Sequence, residues 1–229
     1  MTNPILDALS DRVLLWDGAM GTQIQAAELA ASDFEYQGRI LDGCNEILNL
    51  SRPDVIEAIH DSYFQAGADL VETNTFGNTS IVLEEYGVSE LVYDLSLAAA
   101  QIAKRSADKF CDKFVVGGVG PGTKLLSLGH TTWDEVSRTY FDAWKGLLDG
   151  GADALLIETQ QDMLVLKAAL VAMHDARKAT AREVPIFVQV TMEQTGTMLL
   201  GTEIGAALNF IECFPAVAAI GINCSTGPV

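Results

Sequence analysis

Two carboxylates and a thiol stand where apolar runs of this sequence turn polar. Asp17 closes 12–17 (RVLLWD), Glu158 closes 153–158 (DALLIE) and Cys224 closes 218–224 (AAIGINC). Such groups can hold a cation, move a proton, or act as nucleophile or metal ligand. Asp17 is followed by Gly18-Ala19-Met20-Gly21-Thr22. Small residues there let backbone N–H groups of Gly18, Ala19 and Met20 reach a ligand carboxylate while Asp17 accepts from a ligand ammonium. Asp17 could equally cap the next turn. Glu158 follows four apolar residues, so its carboxylate needs a partner, either a ligand or a structural group. Asn74, in Glu72-Thr73-Asn74, ends another run and joins the candidate binding residues. Cys224 reads as a small buried hydrophobe or as a reactive or metal-binding thiolate.

No histidine stands at these positions, which weighs against a serine hydrolase or a histidine base. His60, His130 and His174 show no metal-ligand spacing. The segment Gly117-Gly118-Val119-Gly120-Pro121-Gly122-Thr123 misses the dinucleotide spacing, because the sixth position from Gly118 is Thr123 and Pro121 lacks a donor. It predicts a tight strand-to-loop turn.

The remaining apolar runs are 69–74 (DLVETN), 113–119 (KFVVGGV) and 185–191 (PIFVQVT). Continuous rather than alternating runs mark strands covered on both faces. Helix signals lie between them: Ser51 as N-cap with Pro53 inside the first turn, Thr131-Thr132 before Trp133, Asp162, and Thr202-Glu203. Two joints share one grammar, Ala66-Gly67-Ala68-Asp69 and Gly150-Gly151-Ala152-Asp153, each a helix stop before a strand. Six βα units in one domain are therefore expected, parallel and right-handed, in a barrel or a doubly wound sheet. In either, a ligand sits outside the carboxyl ends of the strands, where the polar residues fall. Residues 23–49 are expected to form a loop or cap over one end.

The chain has 229 residues, 49% of them apolar, with 14 Lys+Arg against 31 Asp+Glu and a net charge of −17. This supports a sizeable core and opposes nucleic-acid or anionic-membrane partners, which need clustered basic residues. Four cysteines without a CxxC pair read as reduced thiols in a cytoplasmic protein. No signal peptide or membrane span is expected.

Several segments together resemble the homocysteine S-methyltransferase family. Within it, the likeness is to the amino-terminal homocysteine-binding barrel of cobalamin-dependent methionine synthases. They are Leu15-Trp16-Asp17-Gly18-Ala19-Met20-Gly21-Thr22, Gly43-Cys44-Asn45-Glu46, Ala66-Gly67-Ala68-Asp69 with Glu72-Thr73-Asn74-Thr75-Phe76, Gly118-Val119-Gly120-Pro121, Ile157-Glu158-Thr159 and Gly221-Ile222-Asn223-Cys224. The resemblance implies an α/β fold of the (β/α)8 TIM-barrel type binding homocysteine. Asp17 and Glu158 would be the catalytic carboxylates near the amino group, with Gly18, Ala19, Met20 and Asn74 also binding substrate. Cys224 would be the first of three cysteine ligands to Zn2+, which would make the homocysteine thiol a thiolate. Cobalamin would be the methyl donor on another domain or protein, with corrinoid-binding and folate-binding domains as partners.

The family's other two zinc ligands form a Cys-Cys pair, which this sequence lacks. The chain is therefore expected to be one barrel domain, 1–229, with about six of eight βα units, cut after the sixth strand. Alone it is expected neither to hold zinc tightly nor to turn over. The alternatives are a non-catalytic barrel that binds an amino acid or docks a corrinoid protein, and a lyase-type barrel, for which only Lys124 lies near a strand end.

Overall fold

The computed structural model describes residues 3–225. Helices α1 (Pro4–Asp11) and α2 (Met20–Ala26) lead into a hairpin, β1 (Glu35–Tyr36) and β2 (Arg39–Ile40). After the short α3 (Leu48–Ser51) come α4 (Pro53–Ala66), β3 (Leu70–Glu72), α5 (Ser80–Leu83), α6 (Val92–Ala107) and β4 (Phe114–Val119). The chain continues through α7 (Trp133–Asp149), β5 (Ala154–Gln160), α8 (Met163–Thr180), β6 (Ile186–Val190), α9 (Ile204–Ile211) and β7 (Val217–Ile222).

Strands β3 to β7 form one parallel sheet in chain order. Sequential order is barrel winding, since a doubly wound sheet reverses its order at a switch point. Period-two alternation sorts each strand. Leu70, Val116, Leu156 and Phe187 face the barrel interior with Trp16, whereas Val71 and Val115 pack outward with Phe64 and Ala103. The sheet is curved enough for Trp16 to reach Phe187 across the interior, with ring centroids 5.9 Å apart. Ile5 of α1 is buried in that interior cluster.

The expected first strand, 12–17, is reduced to a single parallel bridge between Trp16 and Leu70. Its outer edge has no partner strand among the described residues, and β3 itself is three residues long. Its placement beside β3 is nonetheless set by the repeated joint. Asp69 accepts the Leu15 N–H at 2.8 Å, as Asp153 accepts that of Val115 at 2.8 Å. Each aspartate's own N–H returns to the same residue's carbonyl. The two joints are one device used twice, and Gly67 and Gly151 supply the positive φ that stops the helix before each.

Ser51 is not an N-cap as expected. It ends α3 and donates to the Ile47 carbonyl at 3.2 Å, so Arg52 stands at the start of α4, clamped by Asp33 and Asp54. Thr132 and Asp162 do cap α7 and α8. Residues 23–49 form a small layer anchored by buried Ile24, Phe34, Leu41, Ile47 and Leu48. Among the described residues, no helix is long and apolar enough to cross a membrane.

Candidate active site

The carboxyl ends of the strands enclose a cavity of about 270 Å³. Asp17, Gly18, Ala19, Met20, Asn74, Glu158 and Cys224, all singled out in the sequence, line it together with Glu72, Thr73 and Phe76. Among the described residues, no Lys, Arg or His lines it.

Asp17 Oδ2 accepts the Glu72 backbone N–H at 2.9 Å. Burial, with nearby Glu158, pushes the Asp17 carboxyl up to about 7. Glu158 lies at an irregularity of β5, where the register with β6 shifts between Ile157 and Gln160 and Thr159 adopts φ 55°. A bulge of this kind re-aims side chains at a barrel rim. Burial raises the Glu158 pKa.

The partner Glu158 needs is Glu72, which sequence reasoning left out of the site. Burial first, and then Glu158, raise Glu72 well above the usual carboxylate range, and the two carboxyl groups lie within hydrogen-bonding reach. Strand β4 lies between theirs, and Gly118 is what lets them meet: a Cβ there would overlap Glu72 Oε1. The signal was present in the repeated dipeptides Glu72-Thr73 and Glu158-Thr159, two strands apart. Alternate strands of a barrel share an interior layer, which brings such a pair together.

The wall is braced from behind. The Thr73 and Thr75 hydroxyls lie 2.5 Å apart, and Thr75 donates to the Gly118 carbonyl at 2.6 Å. Asn74 turns its amide to the 23–49 layer, donating to the Asn45 carbonyl at 2.8 Å. The Tyr63 hydroxyl donates to the Ala19 carbonyl at 3.0 Å and leaves no room for a Cβ at Gly18. No side chain caps the first turn of α2 at Met20. The glycine-rich turn has a packing origin: Gly117 receives Leu147, Gly118 receives Glu72 and Gly120 receives Phe76.

Cys224 follows β7 at φ 47°, with its Sγ 3.8 Å from Asn223 Nδ2 and 4.0 Å from Thr159 Oγ1. It is the only thiol at the cavity among the described residues. Cys111 and Cys213 are exposed elsewhere, whereas Cys44 is fully buried and pushed up to about 11, chiefly by burial. Among the described residues, no three His, Cys, Asp or Glu side chains converge on a metal position. A three-thiolate zinc centre therefore does not fit these residues by themselves.

Fold and cavity define an α/β barrel whose strand ends converge on a buried acidic pocket. The sequence model described as homocysteine S-methyltransferase matches residues 14–229, and the chain belongs to that family. Methionine synthase of Mycobacterium tuberculosis (strain ATCC 25618 / H37Rv) is 52% identical across 98% of this chain, and that of Mycobacterium leprae (strain TN) is 52% identical across 98%. The chain spans 19% and 18% of those two proteins. Among solved structures, the homocysteine methyltransferase MmuM from Escherichia coli matches in its apo form with TM-score 0.72 at 22% identity, over 97% of this chain and 76% of that one. Its metallated form matches with TM-score 0.77 at 21% identity, over 97% and 78%. These likenesses support the TIM-barrel type of fold.

Proposed function

We propose that this chain binds homocysteine as the substrate module of a homocysteine S-methyltransferase of the methionine synthase kind. The observation that carries this is one cavity in which Asp17 and the Glu72–Glu158 pair face the open backbone of Gly18, Ala19 and Met20. A zwitterionic amino acid needs that pairing of acidic side chains with free N–H groups. Asp17 and Glu158 take the ammonium, the loop backbone takes the carboxylate, and the side chain runs toward Cys224.

In methyl transfer the homocysteine sulfur forms a bond to the methyl carbon, the bond from that carbon to its carrier breaks, and the thiol proton leaves. A free thiol with a pKa of about 8.5 is largely protonated at neutral pH, so activation is required. Zinc would supply that activation. In this reading Cys224 gives one thiolate and two further donors come from outside the described residues. The methyl group would come from a corrinoid, and the corrinoid-binding and folate-binding parts would be other domains or proteins. The four free cysteines suit a reducing compartment, and we place the protein in the cytoplasm. A binding module without turnover is the second reading, favoured by Cys224 being the one thiol at the cavity among the described residues.

Calorimetric titration of the 229-residue chain with L-homocysteine tests the proposal. Saturable binding at one site is expected, weakened by removing either the amino or the carboxyl group from the ligand. Equal affinity for an amine-free thiol would overturn the assignment of Asp17 and Glu158.

A further inference from the structure

We propose that Glu72 is a positioning residue, which as a carboxylic acid donates to Glu158 and holds that carboxylate toward the substrate ammonium. The inference rests on the homocysteine-binding reading above and deepens it, because it assigns a role to a residue that does not itself take the ligand.

Glu72 sits two residues beyond Leu70 on the interior side of β3, and Leu70 belongs to the interior cluster. Its carboxyl lies directly over Gly118 of the neighbouring strand, where any larger residue would collide with it. Its own N–H is spent on Asp17 Oδ2. The titratable groups that act on it are Glu158 from β5 and Asp17 from the bridged segment, and among the described residues no basic side chain lines the cavity.

Two buried carboxyl groups in contact, with no cation between them, cannot both stay ionised. One proton therefore serves the pair, and the titration belongs to both groups together. The proton bound on Glu72 turns that group from a repelling charge into a donor, which fixes Glu158 and leaves its remaining lone pairs for a ligand. The shared proton also cuts the charge of the three clustered acids from three to two, of which one ammonium offsets half. A cavity with three full negative charges and one monocation would remain badly unbalanced.

The test compares Glu72→Gln with Glu72→Leu in the 229-residue chain, both first checked for native circular dichroism. A glutamine amide can replace the carboxylic acid as donor to Glu158, whereas leucine cannot. Homocysteine affinity should stay within about threefold in E72Q and fall by roughly 10- to 100-fold in E72L, the loss expected for a hydrogen bond to a charged group. Equal losses in the two variants, or a greater loss in E72Q, would overturn the proposal. An infrared measurement on ligand-free protein is independent of binding. With the Asp17 titration removed, Asp17→Asn should show a protonated-carboxyl band at neutral pH that disappears in the Asp17→Asn/Glu72→Gln double variant, and its absence from Asp17→Asn would equally overturn the proposal. If the wild type binds no homocysteine, the functional reading fails, while the infrared result still decides whether the pair shares a proton.

Discussion

Asp17 Oδ2 accepts the backbone N–H of Glu72 at 2.9 Å, so the carboxylate at the mouth of the cavity is also the tie between the first segment and β3. A single side chain thus fixes the end of a strand that has almost no ladder and also lines the cavity. Its partner residue in turn carries the carboxyl that meets Glu158. The site is one connected acidic structure, assembled from Asp17 and two strand ends.

That arrangement costs stability as pH rises. The Asp17 pKa is raised from 3.8 to about 7, mainly by burial, so its contribution to folding is fully present below about 4 and is lost by about 7. Asp17→Asn keeps an acceptor for the Glu72 N–H but removes the titration. Thermal unfolding should show the variant gaining on the wild type between pH 4 and 8, by a few kcal/mol at most at about 1.4 kcal/mol per pH unit. Homocysteine binding should weaken in the same variant. A stability difference that does not change with pH would contradict the burial of this carboxyl.

Gly118→Ala should damage both packing and site. The added Cβ overlaps Glu72 Oε1, and overpacking of this kind costs about 1–3 kcal/mol. The expected result is a lowered Tm together with weakened homocysteine binding. Gly21→Ala, where a Cβ meets nothing within 4 Å, serves as the control that keeps its Tm.

Thiol labelling should separate the cysteines. Cys44 is fully enclosed and its pKa is pushed up to about 11, so alkylation of native protein should leave it unmodified while Cys111, Cys213 and Cys224 react. Bound homocysteine should slow labelling of Cys224 alone. Mass spectrometry of the digested protein reads each site, and protection of Cys111 or Cys213 instead would move the ligand away from this cavity.

Zinc should wash off. With one thiol at the cavity and no convergent set of three ligands among the described residues, the 229-residue chain should retain far less than one zinc per molecule after desalting. Elemental analysis checks this, and one tightly held zinc per chain would contradict it.

Much of this was legible in the sequence for local reasons. The two Ala-Asp joints, the N-caps at Thr132 and Asp162 and the polar residues closing each apolar run depend on neighbours along the chain. The joint even placed residues 12–17 beside β3, although the ladder there shrank to a bridge. Ser51 misled because Arg52, drawn to Asp33 and Asp54, takes the capping position. Glu72 stood among the polar residues at the strand ends but was given no role, for a different reason. Its meaning depends on Glu158 two strands away and on Gly118 between them, a contact created by sheet curvature rather than by spacing. The glycines of 117–120 miss the dinucleotide spacing and read as a tight turn, but the sequence did not show that each makes room for a particular side chain.

The central claim is that one amino-acid substrate sits in the acidic cavity with its ammonium on the carboxylates. A crystal structure of the chain with homocysteine measures this directly. The amino group should lie within hydrogen-bonding distance of Asp17 and Glu158, the carboxylate against the backbone of Gly18, Ala19 and Met20, and the sulfur nearest Cys224. Homocysteine bound elsewhere, or held in this cavity with its carboxylate toward Glu158, would contradict it.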